Sequence, residues 1–507
     1  MTAKKTPNNA ALAAMLEAVA DSLELQQANP YRVRAYRKAA LSVGRHPRPV
    51  AGMVKDGEPL TALPQVGPAI AGLLAEFVRT GAPPKPSPGR DRHRRRGTRR
   101  TRDKAFIRPL LAPLMDALVE DLRRIPGVRA VEPAGAYRRC ADTVEGLDLV
   151  VACGKPAEAL RAWAANLALP GDVDLEGTTM RLTTTDHLPV TVRFASHLVP
   201  ALVEATGSEA HLAALRKRAK ARKPGWPAAH GSEASFYKAL GLPWIAPELR
   251  EGDGEVEAAE AGTLPDLVEL GDLKGDLHMH TEATDGASSI EVMAEASRKR
   301  GLSYVAITDH TQRTSIAGGL KPAEMREHLR RIDAANDAAA GITILKGAEV
   351  DILRNGLDLP DDVLDEMDVV VCSLHHRDRA DGPELTRRVL QAMEHPKAHI
   401  LGHPTGRLIG RREPMDLDWD KVLEHALDHG WALEVDGQAY RMDPPVPIVR
   451  RAAALGIPFA LDSDAHSIKE MKFQRNAVDQ ARRGWVDKKQ VLNAGTLRQM
   501  KARLRRA

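Results

Sequence analysis

A set of histidines and acids in the second half of the chain, each at or near the end of an apolar, strand-like run, constrains the fold most. The runs are DLHMHTEATDG (276–286), AITDH (306–310), GAEVDI (347–352), CSLHH (372–376), GHP (402–404) and DSDAH (462–466). Side chains two apart on a strand share a face, so His278 and His280 can grip one ion together. The later runs can deliver ligands to the same mouth if the strands close into a barrel, because barrel enzymes place their chemistry at the C-terminal ends of strands. The arrangement calls for a multinuclear metal centre, and centres of this kind cleave phosphate esters.

From Asp272 onward, short apolar strands (YVAIT, GITIL, DVVVCSL, AHIL, WALEV, PFALD) alternate with amphipathic helices. That rhythm predicts an α/β domain with a parallel sheet or barrel. With 507 residues, of which 43% are hydrophobic, the chain is too long for one ordinary domain and apolar enough for several cores. Cys140, Cys153 and Cys372 form no CxxC pattern. Such usage fits a reducing compartment without structural disulfides. The opening MTAKKTPNNA has no apolar signal region, and no stretch approaches a membrane span. The expectation is a cytoplasmic, nucleoid-associated protein with no membrane partner.

The net charge of +5 is modest, but KPSPGRDRHRRRGTRRTRDK (85–104) concentrates arginine beside Pro and Gly. It cannot bury a core and reads as a disordered basic linker. Arg94, Arg95, Arg96, Arg99 and Arg100 either attract nucleic-acid phosphates or form a solvated spacer. Ahead of it, residues 8–81 have helical periodicity, and LPQVGPAIAGLLAEFVRTG (63–81) reads as a tight turn opening into an amphipathic helix. A turn of that kind, with Gly67 in it, presents backbone N–H groups to an anion such as a DNA phosphate, or simply connects helices. Behind the linker, 105–125 reads as an amphipathic helix, 128–140 as strand, turn and helix start, and GLDLVVACG, TTMRLTTT and LPVTVRFA as strands. Residues 251–272 are acidic and read as a second linker, poor in structure.

The segment from Gly275 to His466 resembles the polymerase-and-histidinol-phosphatase (PHP) domain, a distorted (β/α)7 barrel holding up to three metal ions. The chain as a whole resembles bacterial family X DNA polymerases, which carry this domain at their C-terminus. NPYRVRAYRKAA, LPQVGPAIA, GAYRRCADTVEGLDLVV, TGSEAHLAALR and IAPELRE carry the likeness. It implies a helical helix-hairpin-helix DNA-binding module over 8–81, the basic linker over 82–104, an α/β nucleotidyltransferase-like palm over 105–250, a linker over 251–271 and the PHP barrel over 272–507. It further implies that His278, His280, Glu349 and Asp464 hold one ion. Glu349 would bridge to a second, held also by His375 and His403, and Asp285, His310 and His466 would hold a third. A mixed imidazole and carboxylate set suits manganese, zinc or iron, and manganese is the first expectation. The implied reaction is 3′–5′ exonucleolytic cleavage of DNA at 3′ ends, in gapped or single-stranded form, or incision at abasic or blocked 3′ ends. Arg377, beside His375, and Arg407, after GHP, are candidates for gripping a phosphate; both read equally well as surface salt-bridge partners. His395, His399, His425 and His429 fall outside the ligand pattern.

The palm departs from the family. The position of the first acid of the metal-binding triad is Gly146, the second is Asp148, and the third falls on Thr191. The Gly-Ser pair that binds nucleotide phosphates reads Gly135-Ala136. One carboxylate cannot hold two magnesium ions between triphosphate and primer, and Glu145, one residue away along a strand, would face the other side. The second helix-hairpin-helix expected before the palm is missing. The lysine of lyase-competent relatives is replaced by Leu73, with Ala69 and Gly72 nearby, and the first hairpin glycine is Gln65. The leading expectation is therefore a metal-dependent DNA exonuclease or repair phosphodiesterase with a vestigial polymerase region. An active family X polymerase, a small-molecule phosphate monoesterase and a non-catalytic DNA-binding scaffold are the alternatives.

Overall fold

The computed structural model describes residues 7–25, 30–80, 105–166, 174–184, 187–221, 225–226, 229–377 and 380–504. The chain forms two compact units, Met1–Asp103 and Lys104–Ala507. The basic run and its arginines 94–100 lie outside the described residues.

In the first unit, alanine- and leucine-rich sequence forms helices Asn9–Leu25 and Pro30–Arg45, followed by Val50–Lys55 and Pro68–Thr80. Asn8 starts the first helix by accepting the Ala11 N–H at 2.8 Å. Leu12, Leu16, Val33, Tyr36, Ile70 and Leu74 share one core, and Leu73 packs partly buried against it. Gln65 has φ +63°, the left-handed region that glycine enters freely and other residues enter at a cost of roughly 1–2 kcal/mol. The hairpin turn thus keeps the backbone shape of a glycine although its side chain has changed. Pro68 then opens the last helix, where its missing N–H costs nothing.

The second unit begins with a five-stranded sheet in the order Val128–Pro133, Leu147–Cys153, Pro189–Ala195, Thr179–Thr183, Asp174–Glu176. Leu149, Val151, Val192 and Phe194 pack with Trp163 and Leu122 from the covering helices. The amphipathic helix expected over 105–125 begins later, at Ala112. Phe106–Ile107 instead pairs antiparallel with Thr143–Val144, and a 3-10 turn holding Pro109 separates it from the helix. The acidic stretch 251–272, expected to be poor in structure, carries helix Glu255–Ala261. Glu255 is fully buried rather than solvated: its carboxylate accepts the N–H of Gly252 and Asp253 at 2.9 and 2.7 Å and faces His211 Nδ1 at 2.5 Å. Val256 and Ala259 complete a core with Leu215, Phe236, Tyr237 and Ile245.

The barrel follows. Its strands are Gly275–Asp276, Tyr304–Ile307, Thr343–Leu353, Val369–Ser373, Ile400–Leu401, Ala432–Asp436 and Phe459–Asp462, hydrogen-bonded in that sequence order. Each neighbouring pair is parallel. A bridge between Met279 and Ala465 brings the first and last strands together beyond their ends, so the sheet is nearly closed. Most of these strands are buried along their whole length, as expected of a parallel sheet covered by helices. No helix among the described residues is long and apolar enough to cross a membrane.

Candidate metal centre

The C-terminal strand ends bring the expected ligands to one place. At its centre is Glu349, buried on the longest strand and ringed by imidazoles. His310 Nδ1, His278 Nε2 and His280 Nε2 face its Oε2 at 2.8, 3.5 and 3.6 Å. His403 Nε2 and His375 Nε2 face its Oε1 at 2.7 and 3.1 Å. Asp464 Oδ1 lies 3.2 Å from His280 Nε2, and Asp285 Oδ1 lies 3.4 and 3.2 Å from His310 and His466. Three groups have donor atoms close enough to share an ion: His278, His280 and Glu349; His310, Glu349 and His375; and His280, Asp285, His310 and His466. Glu349 is common to the first two. His280 and His310 each join one group more than the family pattern assigns them.

The donor set fits divalent cations. His278 Nε2 and His280 Nε2 point at each other across 3.2 Å, and Glu349 Oε2 and His280 Nδ1 are buried without a hydrogen-bond partner. Buried polar atoms are otherwise almost always satisfied. Electrostatics agree. Burial depresses His310 and His375, but Glu349 and their other carboxylate partners, Asp285 and Asp351, overcome it and lift them to about 10 and about 9. Burial also leaves His280 at about 4, helped by His310 and His466, and His403 at about 3, helped by Arg441. Burial would raise Glu349, yet the surrounding histidines hold it well below the carboxylate range. Carboxylates and imidazoles are thus crowded within contact distance of one another in the protein interior.

Several residues that complete the site went unread in the sequence. His278 Nδ1 lies 2.6 Å from Glu434, His375 Nδ1 3.0 Å from Asp351, and His466 Nδ1 2.9 Å from the carbonyl of Asp464. Such partners fix the tautomer, so that each ring turns its Nε2 inward. Asp309 accepts Thr281 N–H and Oγ–H and Thr284 Oγ–H, ordering the loop that carries Asp285. Asp351 was legible, since it lies two residues from Glu349 on one strand and so shares its face. Arg441 was not, because it comes from an irregular loop. Its Nε faces Asp436 Oδ2 at 3.4 Å and Asp464 Oδ2 at 3.7 Å.

The two arginines singled out by position differ from each other. Arg407 Nη2 is 2.7 Å from Asp142 of the palm, Nε donates to the Arg441 carbonyl at 2.8 Å, and Nη2 also donates to the Met442 carbonyl. Its guanidinium is engaged by protein partners, the arrangement that the salt-bridge alternative expects. Arg377 is half-buried and donates from Nη2 to the Glu413 carbonyl at 3.1 Å.

In the palm, Asp148 and Thr191 are register partners on adjacent strands. Gly135, at φ +60°, lies so close to Asp148 that a Cβ there would meet its carboxylate at 2.1 Å. Burial raises the Asp148 carboxyl. A Cβ on Gly146 would meet the Pro189 carbonyl at 2.7 Å, leaving no ready room for a carboxylate. Arg138 is taken by Glu233 through two contacts of 2.9 Å, and Arg139 donates to the Thr206 carbonyl at 2.8 Å.

The helix-hairpin-helix domain family matches residues 7–83, and the PHP domain family matches residues 276–435. Fold and site thus define a multidomain protein that joins a helix-hairpin-helix module to a PHP phosphoesterase domain. The chain is 36% identical over 415 residues to the DNA polymerase/3′-5′ exonuclease PolX of Bacillus subtilis (strain 168), covering 76% of this chain and 70% of that one. It belongs to the PolX family. It is also 33% identical over 230 residues to a "Probable phosphatase" of Syntrophotalea carbinolica, covering 43% of this chain and 90% of that protein. A third relative, the "Probable phosphatase Teth514_1060" of Thermoanaerobacter sp. (strain X514), is 29% identical over 203 residues, or 38% of this chain and 78% of its own.

Proposed function

We propose that the barrel is a metal-dependent 3′–5′ DNA exonuclease or repair phosphodiesterase and that the region 105–250 no longer polymerises. The observation that carries this reading is Glu349 with five imidazole nitrogens within 3.6 Å. His278, His280, Glu349 and Asp464 would hold one ion, Glu349, His375 and His403 a second, and Asp285, His310 and His466 a third. Manganese is the proposed metal, with zinc or iron as the other candidates for this donor set. Bound divalent ions would supply a water of lowered pKa and neutralise charge on the phosphate and leaving oxygen. Glu434 and Asp351 keep His278 and His375 oriented, and Arg377 is the proposed grip on an incoming phosphate.

DNA as substrate is supported by the helix-hairpin-helix module, where Gly67 precedes a 13-residue helix whose N-terminus favours a phosphate. The PolX relative is named for an exonuclease and a polymerase; Gly146, Thr191 and the Gly135–Asp148 contact speak for the first activity alone here. A second reading, a phosphate monoesterase, draws on the relatives named as probable phosphatases, but gives the DNA-binding module no task.

Purified protein with manganese is to be offered labelled primer-template, single-stranded DNA and p-nitrophenyl phosphate, with and without dNTPs. The expected result is stepwise shortening from the 3′ end without extension. Hydrolysis of the monoester alone would favour the phosphatase, and Asp148-dependent extension would restore the polymerase.

A further inference from the structure

We propose that the palm remnant is a positioning element of the barrel's metal site, acting through Asp142. The inference rests on the reading of the barrel as the catalytic site. Asp142 follows the Gly135 turn and precedes strand Thr143–Val144, in the stretch where a polymerase of this family would bind nucleotide. Its Oδ2 takes Arg407 at 2.7 Å and its Oδ1 takes Arg483 at 2.7 Å, both arginines belonging to the barrel. Both partners of the Asp142–Arg407 pair are mostly buried, with side-chain exposures of 19% and 12%. Buried, charge-assisted contacts of this kind are short and geometrically strict.

Arg407 passes the constraint inward. Its guanidinium binds the carbonyls of Arg441 and Met442 and so fixes the backbone of the loop that carries Arg441. From the other side, Gln480 donates to the Met442 carbonyl at 3.1 Å. Ile107 of the palm is buried in one apolar cluster with Tyr440 and Met442. Met442 sits at φ +40°, a conformation that persists only where its surroundings enforce it. Arg441 itself has Nε and Nη1 buried without a hydrogen-bond partner. Its Nε faces Asp436 Oδ2 at 3.4 Å, so the loop backbone and that ion pair together set where the guanidinium lies. That place is 3.7 Å from Asp464 Oδ2, while Asp464 Oδ1 faces His280 at 3.2 Å. Arg441 is the positive charge behind a ligand carboxylate, and Asp142 is what holds the loop that holds Arg441.

Another palm-to-barrel ion pair supplies the control. Glu248 meets Arg482 at 2.7 Å with similar burial, and its carboxylate contacts Arg482 rather than Arg407 or Arg441. Full-length Asp142→Asn, Asp142→Glu, Arg441→Gln and Glu248→Gln are to be compared with the parent. The readouts are manganese occupancy by equilibrium dialysis, thermal unfolding, and kcat and KM on bis-p-nitrophenyl phosphate. Changes directly behind a metal ligand typically cost ~10–100-fold in affinity or activity, which is the loss expected for Arg441→Gln; Asp142→Asn, one step further out, should lose about three- to tenfold. The loss should fall on manganese affinity and kcat, leave KM unchanged, and be partly restored in Asp142→Glu. Glu248→Gln should lower the unfolding temperature comparably yet hold manganese within about twofold of the parent, because it touches no group behind a ligand.

Parental manganese binding in Asp142→Asn, or an equal loss in Glu248→Gln, would overturn the proposal and leave the palm a merely stabilising neighbour. If Asp142→Asn fails to fold, Asp142→Glu, which keeps the charge one methylene further out, decides the matter by the same comparison. A parent that cleaves no diester, alongside an Asp142→Asn variant that still loses manganese, would sink the functional reading and keep the positioning role.

Discussion

The barrel and the palm differ in how they treat their acidic groups. In the barrel, Glu349 and Asp464 are buried among imidazoles whose ring nitrogens converge on these carboxylates and, at His278 and His280, on each other. In the palm, Asp148 leans on Gly135, Gly146 is pressed against the Pro189 carbonyl, and Arg138 and Arg139 are tied to protein partners. A site built for cations keeps polar atoms buried and unsatisfied, at a cost that only ligand binding removes. In the palm, neighbouring protein atoms crowd or pair with the corresponding groups. What the palm retains is its sheet, its core and its ion pairs to the barrel.

The severest challenge to this contrast is His278→Ala with His280→Ala. Removing two ligands should cost more than the ~10–100-fold typical of changes behind a ligand, with circular dichroism unchanged. Parental hydrolysis of DNA by that variant would remove the centre from the mechanism. Next comes Glu233, which tests whether palm charges now serve stability. Burial would raise its carboxyl, but Arg138 and Arg250 outweigh burial and hold it at about 2. A depressed carboxyl stabilises above its unfolded value and loses that contribution as pH falls through the folded one. Glu233→Gln should therefore cost about 2–3 kcal/mol at pH 7. The gap to the parent should narrow from about pH 4.5 down toward 2, as read by urea unfolding with tryptophan fluorescence. A gap that stayed constant over that range would show that the pair is not what stabilises this region.

Restoring acids to the palm is a subtler probe. Gly146→Asp with Thr191→Glu should not bring back templated synthesis, and the Gly146 change should destabilise by about 1–3 kcal/mol through overpacking against Pro189. Primer extension by this variant would mean that the closed palm reopens easily. The smallest expected effect belongs to the basic run. Deleting 85–104 should flatten the salt dependence of DNA binding by roughly 0.7–0.9 per lost phosphate contact. Hydrolysis of bis-p-nitrophenyl phosphate should stay as it was, and an unaltered salt slope would make the run a plain spacer.

Much of the barrel was legible because its strands are short, continuous apolar runs ending in ligand-type residues, and a parallel sheet places those ends on one rim. The family likeness singled out Asp148 and Thr191, which are register partners on adjacent strands. It failed at 251–272, where acidic composition concealed Glu255, a charge consumed by His211 and two backbone N–H groups. At Arg407 it left a phosphate grip and a salt bridge equally open, and the protein partners found there include Asp142 of the palm.

By itself, then, the sequence determined which elements form and which ligand types line the rim, because periodicity and strand-end chemistry are local properties. It also placed Gly146 and Thr191 where the family likeness implies acids, since residue identity is visible in any fold. Only the tertiary structure decided which arginine faces the ligands and which is spent on an interface. Asp142 and Arg407 are 265 residues apart, and Arg441 reaches Asp464 from an irregular loop. Contacts over such separations follow from how the sheet and barrel pack, and no local pattern of residue types encodes them.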